Sequence, residues 1–471
     1  MLTVIADKVV VFSNWLWGIP IMILLVIASI YMSIRLGFFQ FRKLGYILSH
    51  TLGASFKKTK EEVKGEGTLT AFQALTSAVA CTVGAGNIAG VPIAIVSGGP
   101  GAVFWMWLIA LMAMSLKYSE IVLAVKYRDR NEKGEWDGGP QKYITKGLHA
   151  KWLASLFAIF LMIEVAISSM TQTNQLAASV KTSFEAPAIA VGIIVMIAAA
   201  LVLIGGIKTL GTFTEKMVPI MSIFYIGGSI IIICMNITKI PAVFGMIFKY
   251  AFVPRAAAGG MLGSSIATAI RYGFARGLYS NESGVGTAAI AHSTATTDHP
   301  SRQGLWGITE VFLDTIIICS CTALVCLSSG IFDSKATREM SGADITTLAF
   351  SAHFGKFGGY LVSISMMMFV FSTLIVLIWY GEKQAEYIFK TTKASLVYRV
   401  ICILLIPVGA VGAATYLWNF LDLSLGLVVI VNVIAILLMH RDVIECHQEF
   451  FHSKDKFYLK EQAEEKKKKL S

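Results

Sequence analysis

Long runs of apolar residues, separated by short polar segments, follow one another along this chain as far as residue 439. A helix that crosses a bilayer needs roughly 17–25 mostly apolar residues. Eleven stretches meet this requirement: 15–36, 69–96, 100–126, 150–180, 187–206, 215–238, 258–280, 303–329, 357–386, 398–415 and 420–439. The pattern therefore predicts an all-α membrane protein with about 11 transmembrane helices.

The order of these stretches indicates one accessory helix followed by two repeats. The accessory helix is 15–36, and the other ten stretches are core helices one to ten. Five of them lie within 69–238 and five within 258–439. Because five is odd, the second repeat must be inverted relative to the first, which is typical of secondary transporters. We expect 1–471 to be a single transport domain that ends in a basic tail, 440–471.

The composition changes this picture only by excluding other classes of protein. Hydrophobic residues make up 55% of the chain and charged residues 15%, and the mean hydropathy is +0.68. Soluble domains carry about 25% charged residues. These values argue against a cytosolic enzyme, a disordered scaffold or a secreted disulfide protein, and the seven cysteines fit small buried hydrophobic side chains.

The net charge of +11 is distributed unevenly between the two faces of the predicted helix bundle. With eleven spans, roughly 30 Lys and Arg residues lie on one face and about 8 on the other. The positive-inside rule then predicts that the N-terminus is outside and the C-terminus is cytoplasmic. The charge therefore requires no nucleic-acid partner, and the tail lysines Lys466 to Lys469 suit a solvated segment near anionic lipid.

Glycines interrupt the first core helix of each predicted repeat. They are Gly84, Gly86 and Gly90 in core helix one, and Gly259, Gly260, Gly263 and Gly273 in core helix six. Glycine costs roughly 1 kcal/mol relative to alanine inside a helix, so we expect both helices to break near mid-membrane. The freed N–H groups of a broken helix can hold a carboxylate, and its carbonyls can hold a cation. Close helix packing through Gly86 and Gly90 is the alternative.

Several motifs then resemble one transporter family. They are Thr-Val-Gly-Ala-Gly-Asn-Ile-Ala-Gly over 82–90, Gly-Gly-Pro-Gly over 98–101, Ser-Asn-Glu-Ser-Gly over 280–284 and Phe-Ser-Thr over 371–373. This set resembles the alanine/glycine:cation (sodium) symporter family of the amino acid-polyamine-cation transporter superfamily. The resemblance implies a carrier of the prokaryotic inner membrane that imports alanine or glycine with sodium, on a five-plus-five inverted-repeat fold. Ala85 stands where many members have threonine.

The resemblance also implies a sodium site. Its ligands would be the carbonyls of Ala80 and Val83 with the hydroxyls of Ser372 and Thr373. Sodium is a hard cation that takes oxygen ligands, which suits this set. The alternative for Ser372 and Thr373 is hydrogen bonding to carbonyls of their own helix. We expect co-transported Na⁺ and no organic cofactor.

The expected substrate site surrounds the first break. Its candidates are Thr82, Gly84, Ala85, Gly86, Asn87, Gln172, Asn174, Thr268, Phe274 and Trp379. By resemblance, the N–H groups of Ala85 and Gly86 would bind the carboxylate, and the amide oxygen of Asn87 would serve a second cation or the substrate. For Gln172 and Asn174 the alternative is helix–helix hydrogen bonding, and for Trp379 a place at the membrane interface.

Two acidic residues lie in the middle of predicted spans, Glu164 in core helix three and Asp314 in core helix seven. Intramembrane charges are functional hypotheses by default. Asp314 is a candidate for a cation or proton site, with an ion pair to a residue such as Arg271 as the alternative. The polar stretch 280–304, with His292 among its residues, is expected to form a re-entrant or surface helix without a metal.

These expectations combine into a function. We expect sodium-coupled symport of small neutral amino acids into the cell by alternating access, carried out by a monomer in contact with membrane lipid. A proton-coupled symporter or exchanger on the same fold, with Glu164 and Asp314 as proton sites, is the alternative. A channel would need a continuous polar pore, and an enzyme would need a motif such as HExxH, GxSxG or a P-loop, which the sequence lacks.

Overall fold

The computed structural model describes residues 11–13, 15–17, 20–56, 65–254, 265–333, 340–412, 414–454 and 456–470. In its first half the helices are α1 Pro20–Arg35, α2 Phe39–Arg42, α3 Leu44–His50, α4 Leu52–Phe56, α5 Ala71–Thr82, α6 Val91–Gly98, α7 Gly101–Lys126, α8 Pro140–Lys146, α9 Lys151–Phe184, α10 Ala188–Ile204, α11 Gly206–Met235 and α12 Ile240–Phe252. In its second half they are α13 Ile266–Asn281, α14 Thr287–Ser293, α15 Pro300–Val311, α16 Ser320–Ser328, α17 Gly342–Phe354, α18 Lys356–Phe389, α19 Thr392–Val411, α20 Ala414–Leu438, α21 His440–His452 and α22 Phe457–Leu470. Within the described residues the strands β1 Asp129–Arg130 and β2 Trp136–Asp137 form a short antiparallel hairpin.

The apolar helices can span a membrane several times. Seven spans among the described residues are long and apolar enough to cross a bilayer, and the bent pair α5–α6 raises the number to eight. The helices α1, α10 and α12 are apolar but shorter. A mostly helical fold with several candidate membrane spans is therefore confirmed, whereas the count of eleven spans and the repeat arrangement stay predictions. Helix α12 was not among the predicted spans.

Core helix one breaks at the glycine segment, as predicted. Helix α5 begins at a capping box in which the Thr70 hydroxyl and the Gln73 side chain each accept the other residue's backbone N–H. The helix ends at Thr82, and the chain continues over Gly86–Gly98 in a direction that differs by 47°. Its first part, Gly86–Gly90, is a π-helical turn, a distortion that is frequent at functional sites.

A second break that was not predicted follows α13, and the predicted break in core helix six is tested only at Gly273. Gly273 is inside the continuous helix α13, where its Cα faces the backbone of Ala102 in α7, so its small size permits close packing. The other predicted glycines, Gly259, Gly260 and Gly263, lie outside the described residues. Helix α13 ends at Asn281, and Glu282 follows it with a left-handed φ of 51°. Gly284 and Gly286 continue with φ of 90° and 88° before α14 begins.

The stretch 280–304 was expected to form a re-entrant or surface helix, and the structure excludes the surface alternative. Asn281 and His292 are 0% exposed, and every residue of α14 is buried. The polar side chains of this stretch hydrogen-bond to one another and to neighbouring helices, which removes the need for contact with water.

Backbone hydrogen bonds tie the two broken helices together at one end. The segment before α5 pairs with the segment after α14: Thr68 N–H donates to the Thr294 carbonyl over 2.7 Å, and Thr296 N–H donates to the Leu69 carbonyl over 2.7 Å. The chain therefore enters the first broken helix and leaves the second at the same end of the bundle.

Candidate functional site

The break in α5–α6 faces helix α18 through two hydroxyl side chains. The Thr373 hydroxyl lies 3.0 Å from the Ala80 carbonyl and 3.3 Å from the Cys81 carbonyl, and the Ser372 hydroxyl lies 3.4 Å from the Ala80 carbonyl. Ser372 also donates to the Phe369 carbonyl over 2.9 Å, the local bond expected of a helical serine. Val83, which directly follows α5, is buried. The structure therefore brings three of the four predicted sodium ligands together, Ala80, Ser372 and Thr373.

This donor set fits a sodium ion chemically. It consists of carbonyl and hydroxyl oxygens without charge, and both hydroxyl residues are at most 1% exposed. A hydroxyl that donates to a carbonyl can rotate and offer its oxygen to a cation instead. Such a cation would link the end of α5 to the middle of α18.

Asn87 holds the first break in shape through its side chain. Its amide oxygen accepts the Gly84 N–H over 2.9 Å. Its amide nitrogen donates to the Asp314 carboxylate over 2.6 Å and to the Ser280 hydroxyl over 2.9 Å. The amide oxygen therefore bonds to the protein backbone in this structure, and its candidate role toward a cation or the substrate stays a prediction.

Asp314 joins three elements instead of pairing with Arg271. Its carboxylate accepts hydrogen bonds from Asn87, from the Ser280 hydroxyl over 2.8 Å and from the Thr315 hydroxyl over 2.7 Å. It is 0% exposed and lies in the π-helical segment Phe312–Cys319 between α15 and α16. The carboxylate thus connects the first broken helix, the end of α13 and the seventh core helix.

A cavity lies between the two breaks. It is lined by Trp17, Leu25, Cys81, Thr82, Gly84, Ala85, Gly86, Glu164, Ser168, Gln172, Leu278, Tyr279, Glu282, Ser283, Val285, Thr287, Leu377, Leu421, Leu425 and Val429. Five of the predicted substrate residues are in this lining: Thr82, Gly84, Ala85, Gly86 and Gln172. The backbone of the first break, at Gly84 to Gly86, and the backbone of the second break, at Glu282 to Val285, therefore border the same cavity.

Acidic residues at this cavity were not assigned to the substrate site from the sequence. The Glu282 carboxylate accepts the Thr287 hydroxyl over 2.7 Å and lies 3.5 Å from the Cys81 sulfur. Glu164, which the sequence marked as a proton-site candidate, also lines the cavity, and its Oε2 is buried without a hydrogen-bond partner. The Ser-Asn-Glu-Ser-Gly motif followed by Gly286 was the available signal for Glu282, because closely spaced glycines favour a break.

Four other candidates lie away from this lining. Asn174 donates to the Gly409 and Gly412 carbonyls and so caps the end of α19. Thr268 bonds to Ser265 in the first turn of α13, roughly 20 Å along the helix from Glu282.

The remaining two are aromatic. The Phe274 ring packs edge-on against Trp105 at 5.9 Å between centroids, in the contact between α13 and α7. Trp379 is 4% exposed and packs against Tyr380 at 5.4 Å. The structure therefore places both rings in helix packing, apart from the residues that line the cavity.

A mostly helical fold with several candidate membrane spans and two helix breaks around a buried cavity is typical of a membrane transporter. The sequence profile of the sodium:alanine symporter family matches residues 2–466. The chain therefore belongs to the sodium:alanine symporter family, which confirms the resemblance seen in the motifs. This is a family of transporters and not of enzymes.

Relatives and a solved structure agree with this assignment. The chain is 48% identical over 449 residues to the uncharacterized transporter YflA of Bacillus subtilis (strain 168), covering 95% of this chain and 94% of that one. It is 40% identical over 437 residues to the sodium/alanine symporter AgcS of Methanococcus maripaludis, covering 92% and 94%. Its fold is similar to that of MhsT, crystallised in complex with L-phenylalanine, with a TM-score of 0.60, 12% identity and coverage of 81% and 92%.

Proposed function

We propose that this protein is a sodium-coupled symporter that imports small neutral amino acids, alanine and glycine, by alternating access. The observation that carries the proposal is the approach of the Thr373 hydroxyl to within 3.0 Å of the Ala80 carbonyl. This contact lies directly beside the break whose next residues line the cavity. The name of AgcS, a sodium/alanine symporter, supports the choice of ion and substrate.

Sodium would bind to the carbonyls of Ala80 and Val83 and the hydroxyls of Ser372 and Thr373. Binding at the end of α5 would order the turn that follows it and so prepare the N–H groups of the break for a carboxylate. This is the coupling step, because substrate affinity then depends on the ion. Asp314, which already orients Asn87, would contribute negative charge to a second cation site.

The substrate would lie between the two breaks. Its carboxylate would bind the N–H groups of Ala85 and Gly86, at the positive end of the helix that follows. Its ammonium group would bind the Glu282 carboxylate, and the Gln172 amide oxygen, which is buried without a partner, would accept a further N–H. The aliphatic lining, with Leu377 among it, leaves the side-chain end of the cavity suited to a hydrogen or a methyl group.

We propose the following arrangement of the spans and of the two termini in the membrane. Eleven spans in a five-plus-five inverted repeat would place the N-terminus outside and the C-terminus on the cytoplasmic side of a prokaryotic inner membrane. The protein would work as a monomer surrounded by lipid, because each repeat contributes one of the two breaks. One half of the bundle would rock against the other around the cavity.

Uptake by purified protein in liposomes tests this function. An inward sodium gradient should drive accumulation of labelled alanine above its external concentration, and unlabelled glycine should compete. Replacement of sodium by choline at constant pH and membrane potential should reduce the initial rate by at least about tenfold. Equal uptake in choline would refute sodium coupling.

One observation favours a second candidate, proton-coupled symport. Glu164 lies at the cavity in the middle of α9, with a buried carboxylate oxygen that has no hydrogen-bond partner, as expected of an intramembrane proton carrier. In the uptake experiment this candidate predicts accumulation in choline that is driven by a pH gradient, and loss of that accumulation in Glu164→Gln.

A further inference from the structure

A second group of charged side chains is buried outside the cavity and next to the second break. Lys117 and Glu120 of α7 and Glu310 of α15 are all 0% exposed. The Lys117 ammonium lies 3.3 Å from Glu310 and 3.9 Å from Glu120. His292 of α14, also 0% exposed, lies with Nε2 at 3.3 Å from the other Glu310 oxygen. We call these four residues the buried charge cluster.

The cluster holds more negative than positive charge unless it binds an additional proton. With neutral His292, one lysine faces two carboxylates, so the net charge is −1. A buried charge without compensation is costly, often by several kcal/mol. One proton, shared between His292 and Glu310, makes the cluster neutral.

Gln303 is placed to accommodate either protonation state of His292. Its amide nitrogen lies 2.7 Å from His292 Nδ1, and its amide oxygen is buried without a hydrogen-bond partner. With Nδ1 unprotonated, the Gln303 NH₂ group donates to it. When the imidazole is protonated at both nitrogens, a half-turn of the amide lets its oxygen accept from Nδ1, while Nε2 donates to Glu310.

The cluster also holds the backbone of the second break. Glu120 accepts the Gly284 N–H over 3.2 Å. Asn432 of α20 donates to the second Glu120 oxygen over 3.0 Å and to the Gly284 carbonyl over 2.9 Å. Because Lys117 is shared by both carboxylates, the charge on Glu310 determines how well Glu120 is compensated while it holds Gly284.

We propose that the buried charge cluster is a proton-binding site, and that the bound proton stabilises the conformation of the second break in which Glu120 bonds to Gly284. With the proton bound, Glu310 is compensated by His292, and Lys117 is available to Glu120. When the proton leaves to water, Lys117 must compensate two carboxylates, so conformations that admit water and release Gly284 are favoured. The proposal does not depend on which ion or amino acid the protein carries.

Other titratable groups face Glu310 and share this balance. Besides His292, they are Lys117 and Glu120 on α7, Cys81 on α5, Glu282 at the second break, Asp314 one turn further along and Tyr380 on α18. Three of them are carboxylates and one is a lysine, so their charges also enter the charge balance around the His292–Glu310 pair.

Hydrogen exchange of the intact wild-type protein tests the proposal without a transport assay. Amide exchange of a peptide that contains 282–286 is measured by mass spectrometry from about pH 5.5 to about 8.5 and corrected for intrinsic rates. Protection should fall along a single-proton curve as the pH rises. A pKa difference of one unit between the conformations in which Gly284 is bonded to Glu120 and released from it corresponds to about a tenfold change in protection.

Two variants distinguish a pH effect that arises at the buried charge cluster from a general effect of pH on hydrogen exchange. Glu310→Gln removes the extra negative charge, so its protection should stay at the low-pH value throughout. His353→Gln, which changes a histidine of α17 bonded to the Ala349 carbonyl, should keep the wild-type curve. Protection that does not change with pH in the wild type, or an unchanged curve in Glu310→Gln, would overturn the proposal.

Discussion

Glu282 combines an uncommon backbone conformation with a carboxylate at the cavity. Non-glycine residues with positive φ are uncommon, and strained positions often occur at functional sites. Its φ of 51° ends α13 and turns the chain into the second break. Its side chain contacts Thr287 across that break and Cys81 in the first broken helix. A single residue therefore shapes the break and supplies its negative charge.

At this scale we predict the effect of Glu282→Gln. If the carboxylate binds the substrate ammonium, the loss of a charged hydrogen bond, about 1.5–3 kcal/mol, should weaken alanine binding by about ten- to one-hundredfold. Sodium binding without substrate should stay within about twofold of the wild type. Both are measured by calorimetry or by ligand-dependent fluorescence of the purified protein.

A matched control exists elsewhere in the chain. Glu185 also follows a helix in the left-handed conformation, with φ of 56°, but it lies on the surface after α9. Glu185→Gln should leave both affinities unchanged. Alanine affinity that Glu282→Gln does not alter would exclude the ammonium contact.

The first broken helix depends on glycine where its backbone approaches α18. A Cβ on Gly84 would lie 2.9 Å from the Thr373 hydroxyl oxygen, closer than real Cβ contacts allow. A Cβ on Gly86 would lie 3.5 Å from the Tyr279 ring, an ordinary contact distance. A side chain at Gly84 is thus tolerated less well than one at Gly86, and it would collide at the proposed sodium site.

This predicts that Gly84→Ala impairs sodium binding before it impairs folding. Displacement of the Thr373 hydroxyl should lower sodium affinity by at least about tenfold, since one oxygen ligand loses its position. Sodium affinity is measured by the ion dependence of alanine binding, with thermal unfolding as the check of folding. Gly245→Ala, in α12 with no atom within 4 Å of the added Cβ, is the control and should bind sodium normally.

The sequence predicted the first break because local signals mark it, whereas the sodium role of Ser372 and Thr373 came from the family resemblance and stays a proposal. Gly84, Gly86 and Gly90 fall within seven residues of a long apolar run, and Ser372 and Thr373 stand out inside another. The position of the second break was not predicted, because Glu282 is compatible with a helix and its left-handed turn is set by the contacts around it. Asn174 was a cavity candidate, and the structure places it at the end of α19, a contact that only tertiary structure reveals.

In the whole molecule the two breaks form one connected unit. Their ends are joined by backbone pairing between 66–69 and 294–297. Hydrogen bonds among Asn87, Ser280 and Asp314 also join the first break to the end of α13, where the second break begins. Because α18 touches this unit at Thr373, an ion bound at the proposed sodium site would bias the conformation of the entire cavity. Reciprocal coupling between ion and substrate affinity is the thermodynamic consequence.

The central claim is tested most directly by the affinity of the purified protein for alanine as a function of sodium concentration at constant pH and ionic strength. We predict that sodium raises alanine affinity by at least about tenfold, or about 1.4 kcal/mol of coupling. Thr373→Ala should abolish most of this increase, whereas Ser365→Ala, a buried serine of the same helix whose hydroxyl has no hydrogen-bond partner, should retain it. Alanine affinity that is independent of sodium in the wild type would contradict the account.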